Sequence, residues 1–237
     1  MIYVGTSGWS YDWNPDGFEW YVKNSGLNTV ELNASFYRFP FPSMVKSWAR
    51  RTPEGFIWSI KVNRLITHRY RFSIKALDVW RRFYTLFKPL ESKIRFWLFQ
   101  LPPSYRPRGK MLDNLEKFIE EVNLGEKFVL EWRNKEWFRD EWIRWAEKLK
   151  ITLCSVDAPD LPHTILKSSR MVYLRMHGRT VWYAYRYNEK ELEEVAKRLM
   201  KADAAVYAVY FNNNHDMLDN ARLMLAILRA MRLYQNK

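Results

Sequence analysis

The side chains best suited to chemistry stand at the ends of short apolar runs. Glu31 and Asn33 close "NTVELN" (28–33), and Lys61 and Asn63 stand one residue apart around the end of "FIWSIKV" (56–62). Gln100 ends "IRFWLFQ" (94–100), and Glu131 with Arg133 ends "KFVLEWR" (127–133). Asp157 ends "ITLCSVD" (151–157), Arg175 with His177 ends "MVYLRMH" (171–177), and Asn212 with Asn213 ends "AVYAVYFN" (205–212) and its next residue. Successive side chains of a strand point to opposite faces, so residues two apart share one face. Carboxylates, an amine, guanidiniums and an imidazole on shared faces are the groups needed to move protons and neutralise developing charge. In that reading Glu31, Glu131 and Asp157 handle protons and His177 shuttles them, while Lys61 and Arg133 neutralise charge. Lys61 has a second reading as a Schiff-base amine, because neighbouring cations lower an amine's pKa.

Such residues need a scaffold that gathers strand ends. The run "IYVG" (2–5) and the seven above make eight candidate strands, with helical periodicity between most of them. Leu77, Trp80, Phe83, Tyr84 and Phe87 recur at helical spacing over 74–87, as do Leu112, Leu115, Phe118, Ile119 and Val122 over 111–122. Residues 137–149, 189–200 and 218–231 supply further helices, whereas 158–170 reads as a loop or short turn. Strand–helix alternation repeated about eight times predicts a single-domain α/β TIM barrel over residues 1–237, an open doubly wound sheet being the alternative. Barrel active sites form where strands end, so these groups would ring one mouth. Alternation places Ser59, Lys61 and Asn63 inward together, likewise Val129, Glu131 and Arg133, and Tyr173, Arg175 and His177. It leaves open which of Asn212 and Asn213 faces in. The competing structural reading is an ion-pair network that satisfies itself and plugs the barrel.

The segment "RMHGRTVWYAYRY" (175–187) follows the seventh strand, where barrels often bind phosphate. Arg175, Arg179 and Arg186 would grip phosphate oxygens. Trp182, Tyr183, Tyr185 and Tyr187 would stack on a base or sugar. Asn33, Gln100, Asn212 and Asn213 would add amide contacts to substrate. Two other chemistries use the same residues. Glu31 and Glu131 could form a glycosidase pair if about 5–9 Å apart. Glu31, Glu131, Asp157 and His177 could converge on a divalent metal, although the four histidines lack H-E-x-x-H spacing and the nearby cations oppose it. No cofactor and no metal ligand set is therefore assigned.

The net charge of +13 favours an anionic partner such as nucleic acid or a phosphorylated small molecule. No apolar run approaches the ~20 residues that span a bilayer, so no membrane role is expected. Cys154 is the sole cysteine, which excludes an internal disulfide and fits a reducing, cytoplasmic setting without a disulfide-linked partner. Two glutamines, Gln100 and Gln235, against 39 Lys and Arg point toward a thermophilic source.

Seven blocks, in order, carry a family resemblance: "GTSGWSYDW", "VELNASFYRFP", "WARRTPEGFIWSIKV", "FQLPPSY", "EWRNKEWF", "YLRMHGR" with "YRYNEKEL", and "FNNN…DNA". The chain resembles the domain of unknown function 72, the YecE-like proteins. That resemblance implies a TIM barrel and no established reaction. Two positions depart from the family pattern: Asn134 stands where a histidine is usual and Asn214 where an aspartate is usual. The expectation is a protein that binds, and as a hydrolase or lyase cleaves, a phosphate-bearing substrate, nucleic acid among them. The alternatives are a non-catalytic module for single-stranded nucleic acid or a nucleotide, and a carbohydrate-active hydrolase.

Overall fold

Each apolar run becomes a parallel strand, and the eight close on themselves. The computed structural model describes residues 1–235. The strands are β1 (Ile2–Ser7), β2 (Thr29–Leu32), β3 (Ile57–Lys61), β4 (Ile94–Gln100), β5 (Phe128–Glu131), β6 (Thr152–Asp157), β7 (Met171–Met176) and β8 (Val206–Phe211). They pair in sequence order, and β8 returns to β1, giving the closed barrel expected from the alternation rather than the open sheet.

Helices follow every strand except β6: α1 (Gly17–Asn24), α2 (Pro42–Arg51), α3 (Ile74–Leu86), α4 (Gly109–Val122), α5 (Asp140–Lys148), α6 (Glu189–Lys201) and α7 (Met217–Gln235). Residues 158–170 form no helix, as their lack of period predicts. The helices turn their periodic apolar residues inward: Leu77, Trp80 and Phe83 of α3, and Leu115, Phe118 and Ile119 of α4, are buried. Trp142 and Trp145 of α5 pack, partly buried, on the same core. A capping box starts α6, with Asn188 and Glu191 each accepting from the other's backbone N–H.

Most of the apolar mass lies between barrel and helices. Trp9, Phe18, Trp48, Phe56 and Trp58 meet under α1 and α2, with ring centroids 4.8 Å apart for Phe18 and Trp58 and 5.6 Å for Trp48 and Trp58. The Trp58 indole also donates to Thr52 Oγ1 at 3.0 Å, so its polar atom is satisfied where it is buried. The barrel interior is a second, smaller cluster that includes Phe96, Leu98, Val129, Cys154, Val156, Tyr173 and Tyr210. β1 and β2 approach so closely that a Cβ on Gly5 would lie 2.2 Å from the Thr29 carbonyl oxygen.

The register fixes which residues face inward. Gln100 pairs with Glu131, Glu131 with Cys154, Val156 with Arg175, and Ser7 with Glu31, so these share the interior face. Tyr210 pairs with Arg175, which makes Asn212, two residues on, the inward asparagine. Asp157 pairs with Met176, on the opposite face, and so points outward. Because the Trp58 cluster holds two helices to the barrel wall, Trp58→Ala should lower unfolding stability by about 3–5 kcal/mol. Urea unfolding followed by circular dichroism measures it, and a loss below 1 kcal/mol on the same scale would contradict the packing account.

Candidate functional site

At the C-terminal end of the barrel one buried arginine joins two strands' carboxylates. Arg175 Nη2 donates to Glu31 Oε1 at 2.6 Å and Nη1 to Glu131 Oε2 at 2.8 Å, and all three side chains are fully buried. The remaining oxygens are also taken. Tyr173 donates to Glu31 Oε2 at 2.8 Å, Ser7 donates to Glu31 Oε1, and Arg133 is paired with Glu131 Oε1. Burial alone would raise the Glu131 carboxyl, but the Arg133 and Arg175 guanidiniums outweigh it and hold it well below the usual range. Burial would lower Arg175, and the two glutamates reverse that, driving it well above its ordinary value. The competing structural reading of a plugged barrel is therefore correct for Arg175, which is locked away from solvent rather than available as a phosphate grip.

His177 lies beside this network, fully buried. Burial, reinforced by Arg175 and Arg133, pushes its imidazole well below its ordinary value, so it is neutral. Arg133 only donates, so its Nη2, 3.1 Å from His177 Nε2, makes that nitrogen an acceptor. The single ring proton then sits on Nδ1, 3.3 Å from the Asn212 carboxamide, whose oxygen must turn to accept it.

Lys61 is different. Its side chain is buried to 5 % exposure, and its Nζ lies 4.2 Å from the centroid of the Phe36 ring. Among the described residues it makes no ion pair and no hydrogen bond, while Glu31 and Glu131 are engaged by Arg175, Arg133, Ser7 and Tyr173. Burial, with help from Arg175, pulls its ammonium down to about 7. Phe36 and His68 complete its surroundings, their rings 5.1 Å apart, and burial followed by the charge of Lys61 lowers His68 to about 4. His68 opens "HRYRF" (68–72), a loop after the third strand whose interleaved cations and aromatics mark it as an outward extension of the mouth, whereas nothing in the sequence singles out Phe36.

The rim is aromatic. The Arg133 guanidinium lies 4.6 Å from the Trp182 ring centroid, within cation–π range. Trp182 donates to Asp160 at 2.9 Å, and both line a cavity of about 400 Å³ with Pro103, Arg133, Lys135 and Tyr183. On the other side, Asn33 lines a cavity of about 280 Å³ with Ser7, Trp9, Tyr11 and Tyr37. Its Oδ1 is buried without a partner. Gln100 is half-buried at the inward end of β4.

Four residues expected at the mouth are engaged in or behind the loop after β7, and a fifth, Arg186, is solvent-exposed on that loop. Asp157 faces outward and accepts from Tyr187 at 2.8 Å, with Arg179 Nε 3.6 Å away. Arg179 also meets Glu191 at 3.6 Å and Glu194 at 3.2 Å, so three carboxylates surround it. Tyr185 donates to Glu191. Asn213 donates to the Tyr185 carbonyl at 2.7 Å and to Asn220 at 2.8 Å. Arg186 is 75 % exposed, 3.8 Å from Asp216. These groups build the loop after β7 from behind. Gly178 opens that loop at φ 112°, where a Cβ would fall 2.3 Å from the Val181 carbonyl oxygen.

The displacement of Asp157 also removes the four-ligand set proposed for a metal, and among the described residues no three His, Cys, Asp or Glu side chains gather to hold one. Arg175 occupies the gap between Glu31 and Glu131 that a glycosidic bond would need. Asn63 serves the backbone, donating to the Ser35 carbonyl and accepting from Leu65 N–H. Cys154 is free and buried inside the barrel. Among the described residues no helix is long and apolar enough to cross a membrane.

A closed parallel barrel with its polar strand ends joined by an acid–arginine network defines a TIM-barrel protein. The chain belongs to the DUF72 family: the profile described as "Protein of unknown function DUF72" matches residues 3–237, in agreement with the motif resemblance. It is 28 % identical to the UPF0759 protein YunF of Bacillus subtilis, over 96 % of this chain and 95 % of that one. It is 30 % identical to the UPF0759 protein YecE of Escherichia coli over 58 % of this chain and 50 % of that one. A solved DUF72 protein of Thermotoga maritima superposes with TM-score 0.84 at 25 % identity, covering 98 % of this chain and 99 % of that one. Of the two departures from the family pattern, Asn134 accepts from Glu136 N–H and caps the short turn Lys135–Trp137. Asn214 adopts φ 64°, a left-handed conformation that asparagine tolerates well.

Two measurements test this electrostatic picture. Arg175→Met strands two buried carboxylates and should cost about 3–5 kcal/mol in urea unfolding, with much of the loss recovered when Glu31→Gln and Glu131→Gln are added. Lys61 behaves oppositely. Its pKa is lower folded than unfolded, so the unfolded chain binds more protons between about pH 7 and the lysine value near ~10.4. Stability owed to this group therefore rises with pH across that window, and the full penalty is present below it. Lys61→Met should melt higher than the parent at pH 6 to about 7, with the gap closing toward ~10. A pH-independent gap would contradict the assignment.

Proposed function

We propose that the protein is an enzyme that takes a phosphate-bearing substrate into the barrel mouth, where Lys61 and Arg133 meet the phosphate charge. One observation carries this reading: the mouth holds a cation with no counterion. Formally, Glu31 and Glu131 face Arg175, Arg133 and Lys61, and the glutamate oxygens are spent on the arginines, Ser7 and Tyr173. An anion bound beside Lys61 supplies the missing charge and favours the protonated amine. Arg133 keeps its Nε unpartnered among the described residues. Lys135, Trp182 and Tyr183 give the neighbouring cavity a further cation and aromatic faces for the rest of the substrate. Fixed cations in a water-poor site are also what stabilises charge building on a reacting phosphate ester.

The net charge of +13 and the rim aromatics favour a second reading, a nucleic-acid strand laid across the mouth. Salt dependence separates the two, since a polyanion gripped at several phosphates gives a steep log–log slope and a single phosphate a shallow one.

Sulfate is the first probe, because its charge does not change near neutral pH. Its affinity should fall as pH rises above about 7, by up to tenfold per unit, and Lys61→Met should bind it weakly with no such dependence. Isothermal titration of sulfate, a nucleoside monophosphate and a single-stranded oligonucleotide reads both effects. Equal binding by the parent and Lys61→Met would overturn the proposal.

A further inference from the structure

We propose that Lys61 is a carbonyl-condensing nucleophile, whose amine forms a Schiff base with the aldehyde or ketone carbon of a small phosphorylated substrate. This rests on the phosphate reading above and names the substrate's second functional group.

The geometry sets this amine apart from an ordinary buried lysine. A buried lysine normally ends in an ion pair. Here the two carboxylates within the same chamber are held off by Arg175, Arg133, Ser7 and Tyr173. The amine is thus desolvated, beside cations, and without a counterion, the conditions that leave lysine as a free base at neutral pH. Its Nζ makes no hydrogen bond and is not wholly covered, the residue keeping 5 % exposure. The Phe36 ring at 4.2 Å favours a cation at that point, and the protonated imine keeps the positive charge there.

The step balances without any added oxidant or reductant. The Nζ lone pair attacks the carbonyl carbon, and the carbonyl π pair moves to oxygen. The carbinolamine then loses that oxygen as water. Both hydrogens of the water come, in net terms, from the amine, and the imine nitrogen takes one proton back from water at the mouth. Glu131, held ionised by its two arginines, is placed to favour the resulting cation without itself donating a proton.

The test is reductive trapping of the full-length protein with glycolaldehyde phosphate and cyanoborohydride at neutral pH, followed by peptide mass mapping. Lys61 should be alkylated roughly a hundredfold or more faster than an ordinary surface lysine, because far more of it is unprotonated. Lys23, Lys88 and Lys197 are exposed internal standards. Labelling of Lys61 should saturate with probe and be competed by inorganic phosphate. Lys61→Arg, which preserves the charge, should lose the saturable adduct while the exposed lysines label as before. Labelling of Lys61 no faster than the standards overturns the proposal. If sulfate binds with the pH dependence given above but Lys61 is not trapped, condensation fails and the phosphate reading stands. If unphosphorylated glycolaldehyde traps Lys61 equally well and phosphate does not compete, the nucleophile stands and the phosphate reading fails.

Discussion

The bridge from Glu31 through Arg175 to Glu131 governs the mouth of this barrel. Burying two carboxylates and a guanidinium is expensive, and the cost is offset only when the geometry is close and the remaining lone pairs are satisfied. The first holds, with contacts of 2.6 and 2.8 Å, and the second in large part: Tyr173 and Ser7 donate to Glu31 and Arg133 pairs with Glu131, while Glu131 Oε1 and Arg175 Nε make no hydrogen bond among the described residues. The network joins β2, β5 and β7 across the barrel interior, so it fixes three strand ends relative to one another. It also shapes what lies nearby, because both carboxylates are drawn to arginines and neither pairs with Lys61.

Beside the network, burial shifts Lys61, His177 and His68 downward. Lys61 has no counterion and gives up its proton near neutrality. His177 stands between Arg133 and Asn212 and stays neutral, its Nε2 committed as an acceptor. Arg133 links this interior to the rim, with one face on Trp182 and one nitrogen on the network. Reactivity here would reside in the amine, with the glutamates acting as fixed charges.

Alternation carried much of this in one dimension. Eight strands, the closed barrel and the common chamber of Glu31, Lys61, Glu131, Arg133, Arg175 and His177 follow from period-two patterning, because register in a closed parallel sheet leaves only two faces. The same rule, applied to β6, would have turned Asp157 outward, since Cys154 and Val156 line the interior. It would also have selected Asn212 once Tyr210 was seen to face in. Arg179, Tyr185 and Asn213 lie in or against a loop with no period, and their partners Glu191, Glu194 and Asn220 come from later helices. Whether Arg175 reaches a ligand or a glutamate depends on distances across the barrel, which no linear pattern contains.

The helix missing after β6 has a mechanical meaning. One stave of the barrel is covered by the segment 158–170 in place of a helix, with Ser155 accepting from Leu166 N–H and Ser168 accepting from Leu153 N–H. At its end Asp157 meets Tyr187 and Arg179 from the overhanging loop, and Arg198 from α6. Elsewhere the wall is fastened by apolar side chains, aromatic under α1 to α3 and aliphatic under α6 and α7, which dissolved ions scarcely affect. Here the outer part of the fastening is Coulombic and partly wetted, with Glu194 more than half exposed. Added electrolyte should therefore loosen the flap above the entrance while the rest of the cylinder keeps its shape.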